Sequence, residues 1–568
     1  LDGADVIGAF HCLLAVIDTS TPSGRSTLGL LGASLVATIV IPIAVGALLL
    51  IAHWPARFAR WLSLTACVAT LACGIGLAAS YDSLPARSSQ VASAVQPRLQ
   101  LGLPWLSYGR GHGVPYGKDA LVHLEFQLGL DGISLSLILL TSLLTFSAVL
   151  ISWLPIHDRE REYYAALLIL MGALNGAFCA FDLVLFYVFF EFTLLPLFFL
   201  VGIWGGPDRR HAAVKFFLYT FAGSIVTLAG IAYLVIYVIQ HTAIAYPFSI
   251  PELAAALEAN RMPVSLQVGL LLAISLGFAI KVPLFPFHTW LPLAHTEAPT
   301  AGSVVLAGVL LKLGAYGFLR ICLPLFPDAC YSIGTPLIGL LAVIGVIYGA
   351  LCAYAQTDLK KLVAYSSISH LGFCMLGMFA LNAEGITGSF LQIINHGLST
   401  GAMFLLVGMV YERYHTREIP QLGGIASKLP LISAAMVFTC LASMGLPGLN
   451  GFVGEFLALI GMFKANKPFA VVATFGVILA ALYLLSMLRR AFFGPVGTAP
   501  MAYGHVGDLR RAESWAVVPL MILCLVIGLY PKPLIDIVKP DVQAIARLYD
   551  ARRFEQNATP VALQEVRR

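Results

Sequence analysis

Residues 266–320 read LQVGLLLAISLGFAIKVPLFPFHTWLPLAHTEAPTAGSVVLAGVLLKLGAYGFLR. The stretch has the length and apolarity of two membrane-spanning helices, since a bilayer requires about 20 apolar residues per helix. Pro283 and Pro286 break the first helix, and each helix carries one lysine, Lys281 and Lys312, among apolar neighbours. A proline lacks the N–H that would bond the carbonyl four residues back, which frees the carbonyls of Ala279 and Val282. Such backbone persists at membrane depth only inside protein or beside water. An ammonium at the hydrocarbon centre costs about 2.5–3.5 kcal/mol on insertion scales. The stretch therefore predicts a hydrated, protonatable pathway.

The whole chain agrees with that reading. Its 568 residues are 59% hydrophobic and 11% charged, which excludes an ordinary soluble domain and indicates a polytopic membrane protein. The net charge of +5 is scattered, with no long basic run, so nucleic acid is not an expected partner; membrane lipid is. Ten cysteines form no CxxC pair, which argues against an iron–sulfur cluster, a zinc site or a disulfide framework. There is no Walker motif and no GxGxxG after a strand, so neither ATP nor a dinucleotide is expected to bind this chain.

Residues 1–25 are expected to form a leader or interfacial segment, and 26–80 two N-terminal spanning helices. Residues 81–128 read as a polar extramembrane loop, 129–322 as helices three to eight, 333–492 as helices nine to thirteen, and 512–568 as a last helix with a basic tail. The fold class is thus all-α, with about fourteen transmembrane helices. A second broken helix is expected at 430–464, where MGLPGLNGFVGEF places glycines and Pro447 before Glu455. Paired interruptions in corresponding helices point to an inverted-repeat architecture, here helices four to eight and nine to thirteen. Arg57/Arg60, Arg159/Arg161, Arg209/Arg210, Lys360/Lys361, Arg413/Arg417/Lys428 and Arg489/Arg490/Arg510/Arg511 fall on one side if the helices alternate. That side is the cytoplasm or matrix by the positive-inside rule, with Lys464/Lys467 and the basic tail as exceptions.

Six ionisable residues are candidates for proton transfer. Glu191 lies in the apolar run LVLFYVFFEFTLLPLFFLVGIW, where it is either a neutral packing group or the carboxylate that keeps Lys281 from being an isolated charge. Lys281 and Lys312 either snorkel to an interface or act as relay ammonium groups. His370 and His396 are either satisfied packing histidines or relays between the lysine-bearing helices and Glu455. Glu455 itself either caps its half-helix or joins that row. His288, His295 and Glu297 match no metal-site spacing and are expected to order a loop or hold water. Asp358, Lys360 and Lys361 read as a helix boundary, as does Arg413–Glu418, where a partner subunit could dock.

Several of these motifs carry a resemblance. FFEFTLLPLFFLVGIWGGPDRRHAAVKFFLYTFAGS, KVPLFPFHTWLPLAHTEAPTAGSVVLAGVLLKLGAYGFLR, TDLKKLVAYSSISHLGF, NHGLSTGAMFLLVGMVYERYHTREIPQLGG and GLPGLNGFVGEF resemble, in order over residues 129–535, the antiporter-like subunit M family of respiratory complex I. Its mitochondrial counterpart is NADH dehydrogenase subunit 4. The resemblance implies fourteen helices in two inverted five-helix repeats, each with a proton half-channel. Glu191, Lys281, Lys312, His370, His396 and Glu455 are similar to the family's buried proton-transfer row; a glutamate at 455, where sibling subunits carry lysine, favours subunit M. Leu293 departs from the WLPDAH expected of bacterial relatives.

The implied activity is proton translocation as part of an NADH:quinone oxidoreductase, with no redox centre in this chain. NADH, FMN, iron–sulfur clusters and quinone are expected in partner subunits. The implied partners are other membrane-arm subunits, including neighbouring antiporter-like ones, and the implied location is the bacterial plasma membrane, with the mitochondrial inner membrane as the alternative. A Mrp-type cation/proton antiporter, a hydrogenase-linked pump subunit and a non-pumping structural membrane arm remain alternative readings.

Overall fold

The computed structural model describes residues 22–52, 54–85, 93–107, 123–242, 244, 246–499 and 507–565. The expected segment 1–25 lies almost entirely outside them. Twelve described helices are long and apolar enough to cross a membrane, so the chain is a multi-pass membrane protein. In chain order the helices are α1 (Pro22–Ile51), α2 (Ala56–Ala79), α3 (Gly132–Ile151), α4 (Glu160–Cys179), α5 (Leu183–Phe192), α6 (Leu194–Trp204) and α7 (Arg209–His241). There follow α8 (Ile250–Ala259), α9 (Val264–Lys281), α10 (Leu291–Glu297), α11 (Thr300–Leu325), α12 (Pro327–Tyr354), α13 (Leu359–Met378) and α14 (Ala383–Tyr414). The last are α15 (Pro430–Ser443), α16 (Asn450–Ala465), α17 (Lys467–Phe492), α18 (Arg511–Leu529) and α19 (Lys532–Glu565).

Two of the fourteen expected spans are not among the twelve. Helix α13 has the length, 20 residues, but its lysines and serines lower its apolarity; the expected 430–464 span is split into α15 and α16. Polar side chains start several helices by accepting backbone N–H groups that have no intrahelical partner. Asp131 accepts from Ser134 N, Asp182 from Val184 N and Leu185 N, Asp358 from Lys360 N and Lys361 N, and Asn382 from Gly385 N. The region expected to be a plain loop contributes an antiparallel hairpin, β1 (Leu99–Ser107) with β2 (His123–Leu130), paired from Leu99 opposite Leu130. The alternation in HLEFQLGL is a strand pattern that was present in the sequence.

The bundle is layered by burial. The most apolar windows of α11 and α14 are entirely enclosed, and those of α3 and α4 nearly so, whereas α1, α2, α17 and α18 present most of their surface outward. Lys312 and His396 therefore enter the centre on α11 and α14, whose most apolar windows are fully enclosed, and His370 on α13. The basic residues do gather at one end. Arg60 pairs with Glu160, Trp204 donates to the carbonyl of Asp158, Gly206 N to that of Glu297, Lys360 to that of Ala298, and Arg417 to that of Thr296. Arg413 continues the series, fully buried on Glu513, so it braces α14 against α18 and is not an exposed docking residue.

The opposite end is closed by the tail, which is a helix of 34 residues. Gly132 N donates to Asp541, Tyr549 to the carbonyl of Leu323, and Arg552 pairs with Asp328 at 2.5 Å. Lys464, an exception to the charge pattern, pairs at this end with Glu384. Beneath the tail the guanidinium of Arg320 meets Asp131 at 2.6 Å with both side chains enclosed, and stacks on Phe181. Removing one partner of a buried pair strands the other charge, at a cost of about 3–5 kcal/mol. Arg320→Met is accordingly expected to lower the thermal unfolding temperature of the purified chain sharply, and the Asp131→Asn/Arg320→Met double variant to recover most of the loss.

Candidate functional site

The first break follows Lys281. Val282 N still bonds the carbonyl of Phe278 at 2.8 Å, then Leu284 N bonds that of Ala279 at 2.9 Å and Phe287 N that of Leu284 at 2.6 Å. Trp290 Nε1 takes the carbonyl of Ile280 at 3.0 Å. The Ala279 carbonyl freed by Pro283 is thus bonded again by the chain itself, inside the protein. The second break repeats the same sequence of bonds. Met444 N bonds Cys440 O, Leu446 N bonds Leu441 O, and Leu449 N bonds Leu446 O, at 2.9, 3.1 and 3.0 Å.

The two breaks match residue for residue although their composition differs. Where the first has Pro283 and Pro286, the second has Gly445 and Gly448, both at positive φ (77° and 92°), a conformation glycine adopts without steric cost. Superposing the bond patterns sets Ser443 against Lys281 and Glu455 against Leu293. The breaks correspond; the ionisable groups beside them do not.

Lys281 is 1% exposed and Lys312 0%, so neither snorkels. The Lys281 ammonium donates to the carbonyl of Phe190 at 2.8 Å and to Thr193 Oγ1 at 3.1 Å, and lies over the Phe190 ring, 3.5 Å from its centroid. That carbonyl is reachable because the helical run carrying Glu191 is interrupted at Thr193, between α5 and α6. Glu191 sits beside this site and faces both Lys281 and Ser224, yet it makes no direct ion pair, and its Oε1 has no hydrogen-bond partner. The expected Glu191–Lys281 pair is therefore a neighbourhood and not a contact.

The other four candidates form two hydrogen-bonded pairs, Lys312–His396 and His370–Glu455, whose imidazole rings lie side by side. Lys312 Nζ lies 2.6 Å from His396 Nδ1 and also donates to the carbonyl of Ala307, in a π turn (Leu306–Leu310) whose widened geometry shifts carbonyls off the usual ladder. The rings of His396 and His370 are 5.9 Å apart between centroids. His370 Nδ1 then lies 2.7 Å from Glu455 Oε1, so Glu455 is a partner of His370 and not a helix cap. Sequence reasoning missed three supports: Gln392 donates to Glu455 Oε1 at 2.8 Å, while Tyr483 and Ser443 meet His370 Nε2 at 3.0 and 3.3 Å. Gln392 was detectable, one helical turn before His396 on the same face. Gly454 makes its contact possible, because a Cβ there would stand 2.7 Å from Gln392 Oε1.

Between Lys281 and Lys312 the six residues are not joined by any direct contact, so the structure groups them as two clusters. His288 is buried with its ring against Phe285 and Tyr348. Glu297 Oε2 accepts from Asp208 N at 3.0 Å, as loop ordering requires. Among the described residues no cluster of three or more His, Cys, Asp or Glu side chains is placed to hold a metal, and the nine described cysteines are free. Chemically, the site offers two buried amines, two imidazoles and two carboxylates, groups that can exchange protons. A hydrogen bond to a charged group contributes about 1.5–3 kcal/mol. Thr193→Val is expected to lower the thermal stability of the chain by that order, read by unfolding in detergent, with Thr193→Ser close to wild type.

Comparison with known proteins gives the same picture. Residues 180–481 match the family described as NADH:quinone oxidoreductase/Mrp antiporter, transmembrane. The chain is 39% identical over 502 residues to NADH-quinone oxidoreductase subunit M of Rhodobacter capsulatus, covering 87% of this chain and 92% of that one. It resembles a chain of respiratory complex I from Thermus thermophilus with bound NADH at a TM-score of 0.78 and 31% identity, over 91% of this chain and 99% of that one. A chain of the Mrp complex from Dietzia sp. DQ12-45-1b shares the fold, with a TM-score of 0.73 at 20% identity over 92% and 99% of the two chains. With its broken helices, its enclosed amines and these relatives, the chain belongs to the NADH:quinone oxidoreductase/Mrp antiporter family, among the subunit M proteins of complex I.

Proposed function

We propose that this chain is a proton-translocating membrane-arm subunit of an NADH:quinone oxidoreductase, and that Glu191, Lys281, Lys312, His396, His370 and Glu455 carry the protons. The observation that supports it most is the two hydrogen-bonded pairs, Lys312–His396 and His370–Glu455, set side by side on enclosed helices. An amine in contact with an imidazole can pass it a proton, and an imidazole can pass one to a carboxylate without large motion. The Lys281 cluster supplies the second half of the row. Its ammonium rests on Phe190 and Thr193 and can swing to Glu191, and a lysine moving between two sites changes the field felt by Lys312.

On this reading α13 and the α15–α16 pair complete a fourteen-span bundle, and the matching breaks belong to two inverted repeats. NADH, FMN, iron–sulfur clusters and quinone act in partner subunits, and the energy arrives here as a change in charge or shape at the chain's flanks. The membrane is the bacterial plasma membrane, with the basic end inside. Moving one charge against 100 mV requires about 2.3 kcal/mol, so the row must be driven.

The test is the intact complex reconstituted in vesicles, with proton pumping and NADH:quinone turnover followed together. Proton-transfer groups commonly contribute about 10²–10⁴-fold, and Glu191→Gln is expected to cut both activities by about a hundredfold with the complex still assembled. Unchanged pumping reduces the chain to a scaffold; sodium/proton exchange without NADH identifies it as an antiporter.

A further inference from the structure

Arg320 and Asp131 join helices at the end covered by the tail, but stability alone is a weak reason for enclosing an ion pair. Replacing such a pair by packed apolar residues of similar volume is often neutral or stabilising. The position of Arg320 on α11 supplies a second reason. Lys312, Tyr316 and Arg320 stand at four-residue intervals, so they follow one another along one face of the helix, from the row toward the tail. All three are buried. Arg320 lies eight residues beyond Lys312, roughly 12 Å of helix rise. A permanent cation thus stands between the central amine and the tail-covered face.

The polar groups of this column are committed to one another. Arg320 Nε donates to the Tyr316 hydroxyl at 3.1 Å, and that hydroxyl donates to the carbonyl of Phe178 at 2.9 Å. Ser134 Oγ donates to the same carbonyl at 2.6 Å. Arg320 Nη2 meets Asp131 at 2.6 Å and Ser134 Oγ at 3.4 Å, and the guanidinium lies 4.5 Å from the centre of the Phe181 ring. Asp131 also accepts from Ser134 N at 2.9 Å, while the adjacent Gly132 N donates to Asp541 of the tail at 3.0 Å. The fork therefore turns Nε toward Tyr316, on the Lys312 side, and Nη2 toward Asp131, at the start of α3 beneath the tail.

Such an arrangement is unsuited to conducting protons and well suited to stopping them. A relay must give up one proton as it takes the next, and a guanidinium has no acceptor and is not deprotonated in proteins. The Tyr316 hydroxyl has its proton turned to a backbone carbonyl and a lone pair occupied by Arg320. A fixed arginine also raises the energy of any excess proton beside it, the device by which pores exclude protons and cations. We propose that Arg320, positioned by Asp131, is the proton seal of the tail-covered end, closing the route between Lys312 and the water on that side. The inference rests on the proton-translocating function proposed above. A proton held at Lys312 is thereby left with the His396 side as its way onward.

The assembled complex in sealed vesicles tests this, with passive proton entry followed by an internal pH dye, without NADH, under an imposed membrane potential. Asp131→Asn/Arg320→Met, which strands neither charge, is expected to raise that leak about tenfold, the weight of one unit charge acting over roughly 12 Å at an effective dielectric of about 20. With NADH supplied, quinone reduction is expected not to fall while protons pumped per NADH do. Adding Lys312→Met is expected to close the leak again, because the seal guards a route through that amine. A double variant as tight as wild type, or a leak that persists with Lys312→Met and so comes from a loosened bundle, overturns the assignment. If the methionine variant does not assemble, Asp131→Asn/Arg320→Gln, which keeps a neutral hydrogen-bonding pair, is judged by the same criteria. Glu191→Gln run beside it separates the two levels: pumping kept there refutes the proton-translocating function, and pumping lost there with the double variant still tight refutes the seal alone.

Discussion

An ammonium inside protein must find lone pairs or aromatic faces to replace its water, and that requirement organises this molecule. The effective penalty for enclosing an ion is several kcal/mol even after relaxation. Lys281 meets it with a carbonyl, a hydroxyl and a ring face; Lys312 meets it with a carbonyl in a π turn and an imidazole. Each solution needs an irregular backbone at a particular place. The interruption at Thr193 and the π turn at Leu306–Leu310 are as necessary to the lysines as the prolines are to the break.

Much of this was legible from the chain alone, for reasons that can be traced. Lysine, histidine and glutamate inside long apolar runs stand out because insertion makes them costly, and all six candidates proved to lie in the helices that form the two clusters. Their partners were less legible. Lys281 leans on the Phe190 carbonyl, and a backbone acceptor has no signature in sequence. Tyr483 reaches His370 from a helix more than a hundred residues away, a contact that only packing specifies. The hairpin around Leu99 and Leu130 was overlooked because its alternation is short and lies beside a long polar stretch. Helix α13 is the reverse case: its fold is ordinary, but Lys360, Lys361 and its serines dilute the apolar signal.

The two breaks show how little of a shape depends on residue type. Prolines at 283 and 286 and left-handed glycines at 445 and 448 produce the same succession of backbone bonds. What differs is the charge placed beside each. Glu455 faces a histidine and a glutamine, while Leu293, at the matching position, has nothing to titrate; Lys281 has a serine as its counterpart. A common scaffold thus carries two unlike chemical half-sites, one built around an amine at its break and one around a carboxylate beyond it.

The backbone bonds across those breaks carry one more consequence. With the carbonyls of Ala279 and Leu441 already taken by Leu284 and Leu446, each break is closed by the chain's own N–H groups. The bends are thus self-supporting: their shape needs no polar partner from outside the chain, and it is kept whatever charge the side chains beside them carry.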